Sequence, residues 1–428
     1  MEVISNSPEI TRLIDHLFRR ESGRLVAILT RRLGVAHLHL AEDVVQDALV
    51  KAMQTWPFTG VPQNPSAWLL QTARNRALDQ TRRNTVWFGK QSELAPLVED
   101  CLQTALTVPL PQFEDEIRDS QLRMMFVCCH PGLPPETQVA LTLKTLCGFG
   151  EREIAAAFLS NEAAIMKRLV RARQYLREQA VSLELPSVES LAPRVDIVLQ
   201  ALYQLFNEGY KASHGNSLLR ADLCAEALRL AELLLAHPNP LGDQPATHAL
   251  LALMHLGAAR LDARADDGGN VLLLAEQDRS RWNQAQIQTG LRHLANSGRG
   301  SHISRYHLEA GIAACHCLAP NFASTDWLQI ITLYDLLLQQ AGSPVVALNR
   351  AVAIAQVKGP RAALTALDEI DDQKALANYH LYYAVAGQLW LDAAEPDNAA
   401  LNFRRALELA ALPAERLLLE KRLSQCEG

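Results

Sequence analysis

Apolar residues recur at three- and four-residue spacing through almost the whole chain, and this is the period of an α-helix. Ala and Leu dominate these stretches, and runs of alternating β-branched residues are absent. A sheet needs such runs, so we predict an all-α fold. With 428 residues, the chain is long enough for about two to three domains.

The net charge of −6 by itself argues against nucleic-acid binding, because proteins that bind nucleic acids usually carry a basic excess. The charge is unevenly distributed, however: residues 1–183 carry +1 and the rest carries −7. The first residues do not form a signal-peptide pattern, and the apolar stretches are too short to cross a membrane. The eight cysteines form no C-x-x-C pair. We therefore predict a cytoplasmic protein with reduced thiols and no membrane partner.

Changes in periodicity divide the chain into segments. Residues 8–85 and 114–180 are predicted to be two small helical domains, separated by an aperiodic linker over 86–113. A long helical region is predicted over 195–428. In the first domain, Pro57 is expected to end a helix, and residues 58–63 are expected to form a loop. Asn64 then fits an N-cap, with Pro65 at the first helical position.

Two stretches near the C-terminus are similar at an offset of 36 residues. The small and large residues of both stretches follow the tetratricopeptide (TPR) pattern, in which small side chains let paired helices approach closely. An irregular helical bundle with fortuitous spacing is the alternative. The aligned residues are Ala351, Ile354, Ala363, Leu367 and Ile370 with Gly387, Trp390, Ala399, Phe403 and Ala406.

Residues 148–177 have the pattern of a helix-turn-helix. Gly148 fits a left-handed helix end, residues 151–158 a short helix, and Ser160 an N-cap for a second helix. Basic residues line one face of that second helix, as expected of a helix that enters the DNA major groove. A solvated basic face on a helical hairpin is the alternative. The basic residues are Lys167, Arg168, Arg171, Arg173 and Arg177.

Two further polar clusters lie at helical spacing. Asp43, Gln46 and Asp47 share one helix face, which suits a basic protein surface or is an ordinary solvated face. A second face carries Arg76, Asp79 and Arg83, with Asn75 and Arg82 beside them. Trp68 is expected in the core, whereas Phe58 in the preceding loop is a candidate for base stacking.

Together these segments resemble bacterial sigma factors of the extracytoplasmic-function (ECF) type. AEDVVQDALVKAMQTW resembles region 2.2, PSAWLLQTARNRALDQTRR regions 2.3–2.4, and residues 133–177 region 4. Later segments are similar to an ECF subgroup with a large C-terminal extension, namely ALYQLFNEGY, QDRSRWN, TDWLQ, PVVALNRAVAI and the TPR-like tail. Glu276 differs from this subgroup, which has Asp at that position. The resemblance implies two sigma domains, the second with a helix-turn-helix, followed by a TPR-like domain.

The resemblance also implies partners and residue roles, with core RNA polymerase and promoter DNA as partners and no cofactor. The polymerase-binding residues would be Asp43, Gln46 and Asp47. The −10 element would contact Phe58, Asn75, Arg76, Asp79, Arg82 and Arg83. The −35 element would contact Ala163, Ala164, Lys167, Arg168 and Arg171. The C-terminal extension would regulate the sigma domains, either by folding over them or by receiving a regulatory protein or ligand.

Other functions are weighed against this one. The sequence has none of the glycine-rich nucleotide-binding or nucleophile-elbow motifs of common enzymes. The triplets 128–130 and 315–317 (Cys-Cys-His and Cys-His-Cys) lack a second ligand pair at zinc-finger spacing, so no metal is expected. A TPR-type scaffold with a polymerase-incompetent sigma-like head and a helix-turn-helix regulator that binds DNA unaided are the alternatives. The roles of ALYQLFNEGY and QDRSRWN stay open between inter-domain contact and helix packing.

Overall fold

The described part of the chain is helical. The computed structural model describes residues 8–88, 114–158, 160–185, 187–210, 221–236, 244–266, 272–300, 302–340, 342–371 and 373–427. These ranges contain α-helices and short 3-10 turns but no strand, which confirms the predicted all-α fold. None of the described helices is long and apolar enough to span a membrane.

Contacts divide the chain into two units. The first comprises Met1–Glu208 with Ala225–Asp243, and the second comprises Gly209–Cys224 with Gln244–Gly428. The helices of the first unit are α1 (Pro8–Leu33), α2 (Leu38–Thr59), α3 (Pro65–Phe88), α4 (Glu114–Cys128), α5 (Pro135–Cys147), α6 (Glu151–Ala157), α7 (Glu162–Glu178), most of α8 (Val188–Tyr210) and most of α9 (Ala221–Leu235).

The core of the first unit forms where the apolar stripes of these helices meet. Ile28 and Leu29 of α1, Val45 of α2, and Phe126 of α4 are at most 2% exposed. Helix α1 packs against α2, α4 and α5, so the segments before and after the expected linker share one core. Residues 89–113, which hold most of that linker, lie outside the described part of the chain.

Helix α2 extends past the expected end at Pro57, and the predicted loop 58–63 is therefore wrong in its first residues. The helix ends at Thr59, so Phe58 lies on its last turn. A proline in a last turn loses one backbone donor, but Gly60 N still donates to Trp56 O over 2.9 Å. The start of α3 agrees with the prediction, because Ala67 N donates to Asn64 Oδ1 over 3.0 Å.

Helices α8 and α9 extend the first unit beyond the sequence-based boundary near residue 195. Arg194 Nη1 donates to the carbonyl of Phe126 over 3.3 Å, and Arg229 Nη1 donates to Gln121 Oε1 over 3.2 Å. Helix α8 also begins at Val188, before the predicted start of the long helical region at residue 195. The contact-defined boundary thus lies later in the chain than the sequence pattern indicates.

The second unit is a succession of helices, several of them paired. Helices α14 and α15 pack against each other, as do α17 and α18, so each 36-residue stretch contains a helical hairpin. Ala363 and Ala399, at equivalent positions, are both completely buried. The helices are α10 (Gln244–Ala258), α11 (Gln284–Ser297), α12 (Arg305–Leu318), α13 (Trp327–Gln340), α14 (Pro344–Lys358), α15 (Pro360–Asp368), α16 (Gln373–Leu376), α17 (His380–Asp392), α18 (Pro396–Leu409) and α19 (Pro413–Glu427).

Candidate nucleic-acid interface

The polar patch of α2, defined as Asp43, Gln46 and Asp47, faces solvent. Gln46 and Asp47 are exposed, and the side chain of Asp43 is 47% exposed with its Oδ1 3.4 Å from His39 Nδ1. The opposite face of α2 is buried, including Val44. The patch therefore presents two carboxylates and an amide that a basic protein surface can reach.

Glu42, the neighbour of the patch, is buried and links α2 to the helix-turn-helix. Thr145 Oγ1 donates to Glu42 Oε1 over 2.8 Å, and Arg173 Nε of α7 lies 2.8 Å from Glu42 Oε2. The Arg173 contact is an ion pair whose angles fall outside the range of a hydrogen bond. Burial raises the pKa of Glu42, and Arg173 opposes that rise.

Sequence reasoning missed Glu42, although a signal for it exists. Glu42, Val45 and Leu49 fall at i, i+3 and i+7. Glu42 therefore lies on the apolar stripe of α2, whereas its sequence neighbour Asp43 lies on the exposed face. A charged residue on an apolar stripe indicates a buried partner elsewhere in the chain. That partner is Arg173, counted in the sequence among the basic residues of the DNA-facing helix.

The face of α3 that the sequence singles out is exposed. Asn75, Arg76 and Asp79 are exposed, and Gln71 Nε2 donates to Asn75 Oδ1 over 2.9 Å. Leu69 and Ala73 are fully buried on the other side of α3. Arg82 and Arg83 also fall on α3, but their side chains lie outside the described part of the structure.

Phe58 is 88% exposed on the last turn of α2, just before the loop that leads to α3. A fully exposed phenylalanine forgoes about 1.5–3 kcal/mol of burial free energy, so an uncovered ring at this position is unusual. Trp68 is half-buried and packs edge-to-face against Trp56, with ring centroids 5.4 Å apart. Of these three aromatic residues, Phe58 is thus the one open to solvent.

Helices α6 and α7 form the expected helix-turn-helix. Gly148 ends α5 at φ 67°, a left-handed conformation that favours glycine. The N-cap of α7 is Asn161 rather than the expected Ser160, because the Asn161 side chain reaches Ala164 N at 2.9 Å. Ile165 and Leu169 of α7 are completely buried, which fixes the direction of its basic face.

The predicted −35 residues on α7 differ in their availability. Ala163, Lys167 and Arg171 are exposed, and Ala164 is half-buried. Arg168 is also half-buried: its Nη2 lies 3.0 Å from Glu136 Oε2, and its guanidinium lies 5.6 Å from the centroid of the Phe158 ring. Lys167 and Arg171 are therefore the basic side chains of this set that are most open to a phosphate.

The cysteines flanking these helices are buried thiols. Cys128, Cys129 and Cys147 are at most 1% exposed, and burial raises the pKa of Cys129 to about 12. Within the described ranges, no group of three or more His, Cys, Asp or Glu side chains is arranged to hold a metal ion.

Family models match three parts of the chain. Residues 17–86 match Sigma-70 region 2, residues 123–176 match Sigma-70 region 4, and residues 194–298 match a family of unknown function, DUF6596. The first two matches contain the polar patch and the helix-turn-helix, in the order in which the chain presents them.

Curated proteins similar to the chain match it over very different lengths. The Uncharacterized protein R00370 of Rhizobium meliloti (strain 1021) is 36% identical over 396 residues, which cover 90% of each protein. The ECF RNA polymerase sigma factor SigE of Mycolicibacterium smegmatis is 27% identical over 164 residues, 38% of this chain and 60% of SigE. No solved structure matches. The chain thus belongs to the same family as R00370 over nearly its whole length, and it contains a Sigma-70 region 2 and a Sigma-70 region 4.

Proposed function

We propose that the chain is an ECF-type sigma factor that binds core RNA polymerase and directs it to promoters through −10 and −35 recognition. The observation that carries this proposal is the presence of two exposed surfaces of opposite chemistry in one sigma-like unit. The polar patch of α2 suits a basic protein, and the basic face of α7 suits DNA. A regulator that binds DNA unaided has no need of the patch.

Asp43, Gln46 and Asp47 are proposed to bind the basic clamp helices of the largest polymerase subunit. Their exposure supports this role, since charged residues at the edge of an interface steer association and fix its orientation. Substitution of one carboxylate by a cation places like charges opposite each other, which costs more than loss of the contact alone.

We propose that six residues of α2 and α3 contact the −10 element: Phe58, Asn75, Arg76, Asp79, Arg82 and Arg83. The exposed Phe58 ring offers a surface on which an unpaired base stacks, and such stacking contributes about 1–3 kcal/mol per base. This contribution is comparable to the few kcal/mol that removal of a base from the duplex costs. The proposed role of Phe58 is therefore promoter melting rather than duplex binding.

Lys167, Arg168 and Arg171 are proposed to contact the −35 element, with Ala163 and Ala164 close to the groove floor. Small side chains in the first turn of α7 allow close approach of the helix backbone to base edges. Because Arg168 already pairs with Glu136, DNA contact by Arg168 requires an exchange of partners.

Run-off transcription with core polymerase and candidate promoters tests the central proposal. Asp47→Arg is expected to abolish the run-off product, since the variant repels a basic clamp surface. Glu369→Arg, the same charge change at an exposed residue of the second unit, is the control and is expected to leave transcription intact. Full activity of Asp47→Arg, or absence of activity in the wild type with every promoter tested, would contradict the proposal. The latter result would instead favour a scaffold with an incompetent sigma-like head.

Fluorescence of 2-aminopurine in the −10 element tests the role of Phe58. Phe58→Ala is expected to retain the complex of polymerase with duplex promoter but to lose the rise in fluorescence that accompanies melting. Met53→Ala is the control, because Met53 is a half-exposed apolar residue of the same helix outside the proposed contact. Normal melting by Phe58→Ala would exclude base stacking on this ring.

The second unit is proposed to be a TPR-like extension that regulates the sigma domains. The two hairpins at an offset of 36 residues support the TPR-like assignment. Deletion of residues 244–428 retains every residue that the contacts assign to the first unit. The deletion is expected to change the rate of transcription in the reconstituted assay. An unchanged rate would rule out direct regulation by the second unit.

A further inference from the structure

Two motifs with open roles in the sequence meet in the second unit. Tyr210, the last residue of ALYQLFNEGY, lies beside Arg260 and Arg264, and Trp282 of QDRSRWN lies beside Arg260 and Arg279. We call Arg260, Arg264, Arg279 and the two aromatic residues the arginine cluster. All five residues belong to the second contact-defined unit, although most of ALYQLFNEGY belongs to the first.

Neutral groups hold two of the arginines. Arg260 donates to the hydroxyl of Tyr210, and its guanidinium lies 5.7 Å from the centroid of the Trp282 ring. Arg264 Nη1 donates to the carbonyl of Tyr210 over 2.6 Å, and its guanidinium lies 3.8 Å from the centroid of the Tyr210 ring. Aromatic faces attract these cations but neutralise no charge.

The third arginine, Arg279, is bound to backbone carbonyls at the end of α12. Its Nη1 donates to His316 O and Ala319 O, both over 2.6 Å, and its guanidinium lies 4.6 Å from the centroid of the Trp282 ring. Arg260 and Arg279 are thus both placed against Trp282, which is only 3% exposed. The arrangement fixes both guanidinium planes.

The arginine cluster has no anionic partner among the described residues. No carboxylate contributes to the environment of Arg260, Arg264 or Arg279. Burial lowers the pKa of both Arg264 and Arg279, and Arg260 lowers them further. Burial and the two neighbouring arginines, Arg260 and Arg279, lower the pKa of His316 to about 4, so this histidine is neutral at pH 7. Partly buried cations are usually paired, whereas none of these three faces a carboxylate of a described residue.

Hydrogen-bonding atoms without partners also converge on the arginine cluster. Four polar atoms are buried without a hydrogen bond: Arg260 Nε, Arg279 Nη2, Trp282 Nε1 and His316 Nδ1. Such atoms are rare in native proteins, and each one needs a physical explanation. Three of the four are obligate donors, which is the complement of an oxygen-rich anion.

We propose that the arginine cluster binds the phosphate group of a small phosphorylated molecule. Guanidinium groups match the oxygens of phosphate in bidentate geometry, and three cations suit a dianion better than a single carboxylate. Each arginine is half-buried, so part of each side chain is open to solvent while the four unpartnered atoms lie beneath the surface. A recessed site favours a small molecule over the backbone of duplex DNA. The proposal does not depend on the activity of the sigma domains.

Isothermal titration of the full chain tests the site, with inorganic phosphate and pyrophosphate as probes at constant ionic strength. We expect saturable binding that weakens about tenfold or more in Arg264→Gln and in Arg279→Gln. Arg264→Lys keeps the charge but not the planar fork and is expected to bind with intermediate affinity. Arg405→Gln is the control. Arg405 is exposed, pairs with Glu408 and is distant in sequence from the arginine cluster, so the variant is expected to bind phosphate as the wild type does.

Circular dichroism of each variant separates loss of binding from loss of folding. If Arg279→Gln unfolds, because Arg279 also binds the end of α12, the folded variants Arg264→Gln and Arg264→Lys decide the matter. Absence of saturable phosphate binding to the wild type overturns the proposal, as do unchanged affinities in both Arg264 variants. Equal affinity for succinate excludes phosphate as the specific ligand. If duplex DNA competes with phosphate for binding to the wild type, and this competition is lost in Arg264→Gln, the ligand of the arginine cluster is DNA rather than a small molecule, and the proposal is overturned.

Discussion

Gly23 lies where α1 approaches α5 closely, and Gly23→Ala is expected to force these helices apart. A methyl group at this position would lie 2.0 Å from the carbonyl oxygen of Leu146 and 2.6 Å from its carbonyl carbon. An ordinary contact is about 3.4 Å or longer, so one helix must move by more than about 1 Å. Backbone atoms form the obstacle, and no rotation of a side chain relieves the clash.

The magnitude follows from two opposing effects. Overpacking of a filled core costs about 3 kcal/mol at the upper end of its usual range, which suits a clash with backbone. Replacement of Gly by Ala within a helix returns about 1 kcal/mol. We therefore expect Gly23→Ala to lower the free energy of unfolding of the first unit by about 2 kcal/mol.

Hydrogen exchange followed by mass spectrometry in increasing urea measures this change in the first unit alone, which matters because a chain with two units need not unfold in one step. Gly150→Ala is the matched control, since its added methyl group would lie 3.6 Å from the nearest atom, Glu153 Oε2. Protection of α1 and α5 amides should fall in Gly23→Ala only. Equal or greater protection in Gly23→Ala would refute the close approach of α1 and α5.

Three further predictions concern single residues. Burial raises the pKa of Glu42, so the stability that Glu42 contributes is lost as the pH rises above about 4.5 and through its pKa in the folded protein. Glu42→Gln should not show this loss. Urea titrations in which the wild type becomes more stable relative to Glu42→Gln as the pH rises would contradict this prediction. Asn161→Ala removes the N-cap of α7 and should cost about 1 kcal/mol by the same measurement, whereas Asn161→Asp should cost little. Cys129, completely buried with its pKa raised to about 12, should react with iodoacetamide only after unfolding; rapid labelling of the native chain at pH 8 would show that the thiol is accessible.

Local features of the fold could be predicted from the sequence because they depend on neighbouring residues. The N-cap at Asn64 and the left-handed end at Gly148 follow from short-range preferences, and the exposure of Asp47 and Lys167 follows from helical period. The expected end of α2 at Pro57 failed because proline is tolerated in a last turn when later amides still find carbonyl partners.

Contacts between distant residues could not be predicted in the same way. Glu42 and Arg173 are 131 positions apart, and no local pattern joins them. Tyr210 and Arg260 likewise are in contact although they are 50 positions apart, and no local pattern in the sequence indicates that contact. Pairing of this kind depends on which helix faces touch, which a single helical period leaves open.

The ion pairs of α7 have a consequence for how DNA binding responds to salt. Binding to DNA releases condensed cations in proportion to the phosphates that free basic side chains neutralise, with a slope of about −0.9 per phosphate in a plot of log K against log salt. Of the five basic residues on α7, Arg168 and Arg173 already face the carboxylates of Glu136 and Glu42. If both pairs persist on DNA, the helix neutralises at most three phosphates, and the slope is about −2.7 rather than about −4.5. The steepness of the salt response thus reports whether α7 gives up its internal partners when it enters the groove.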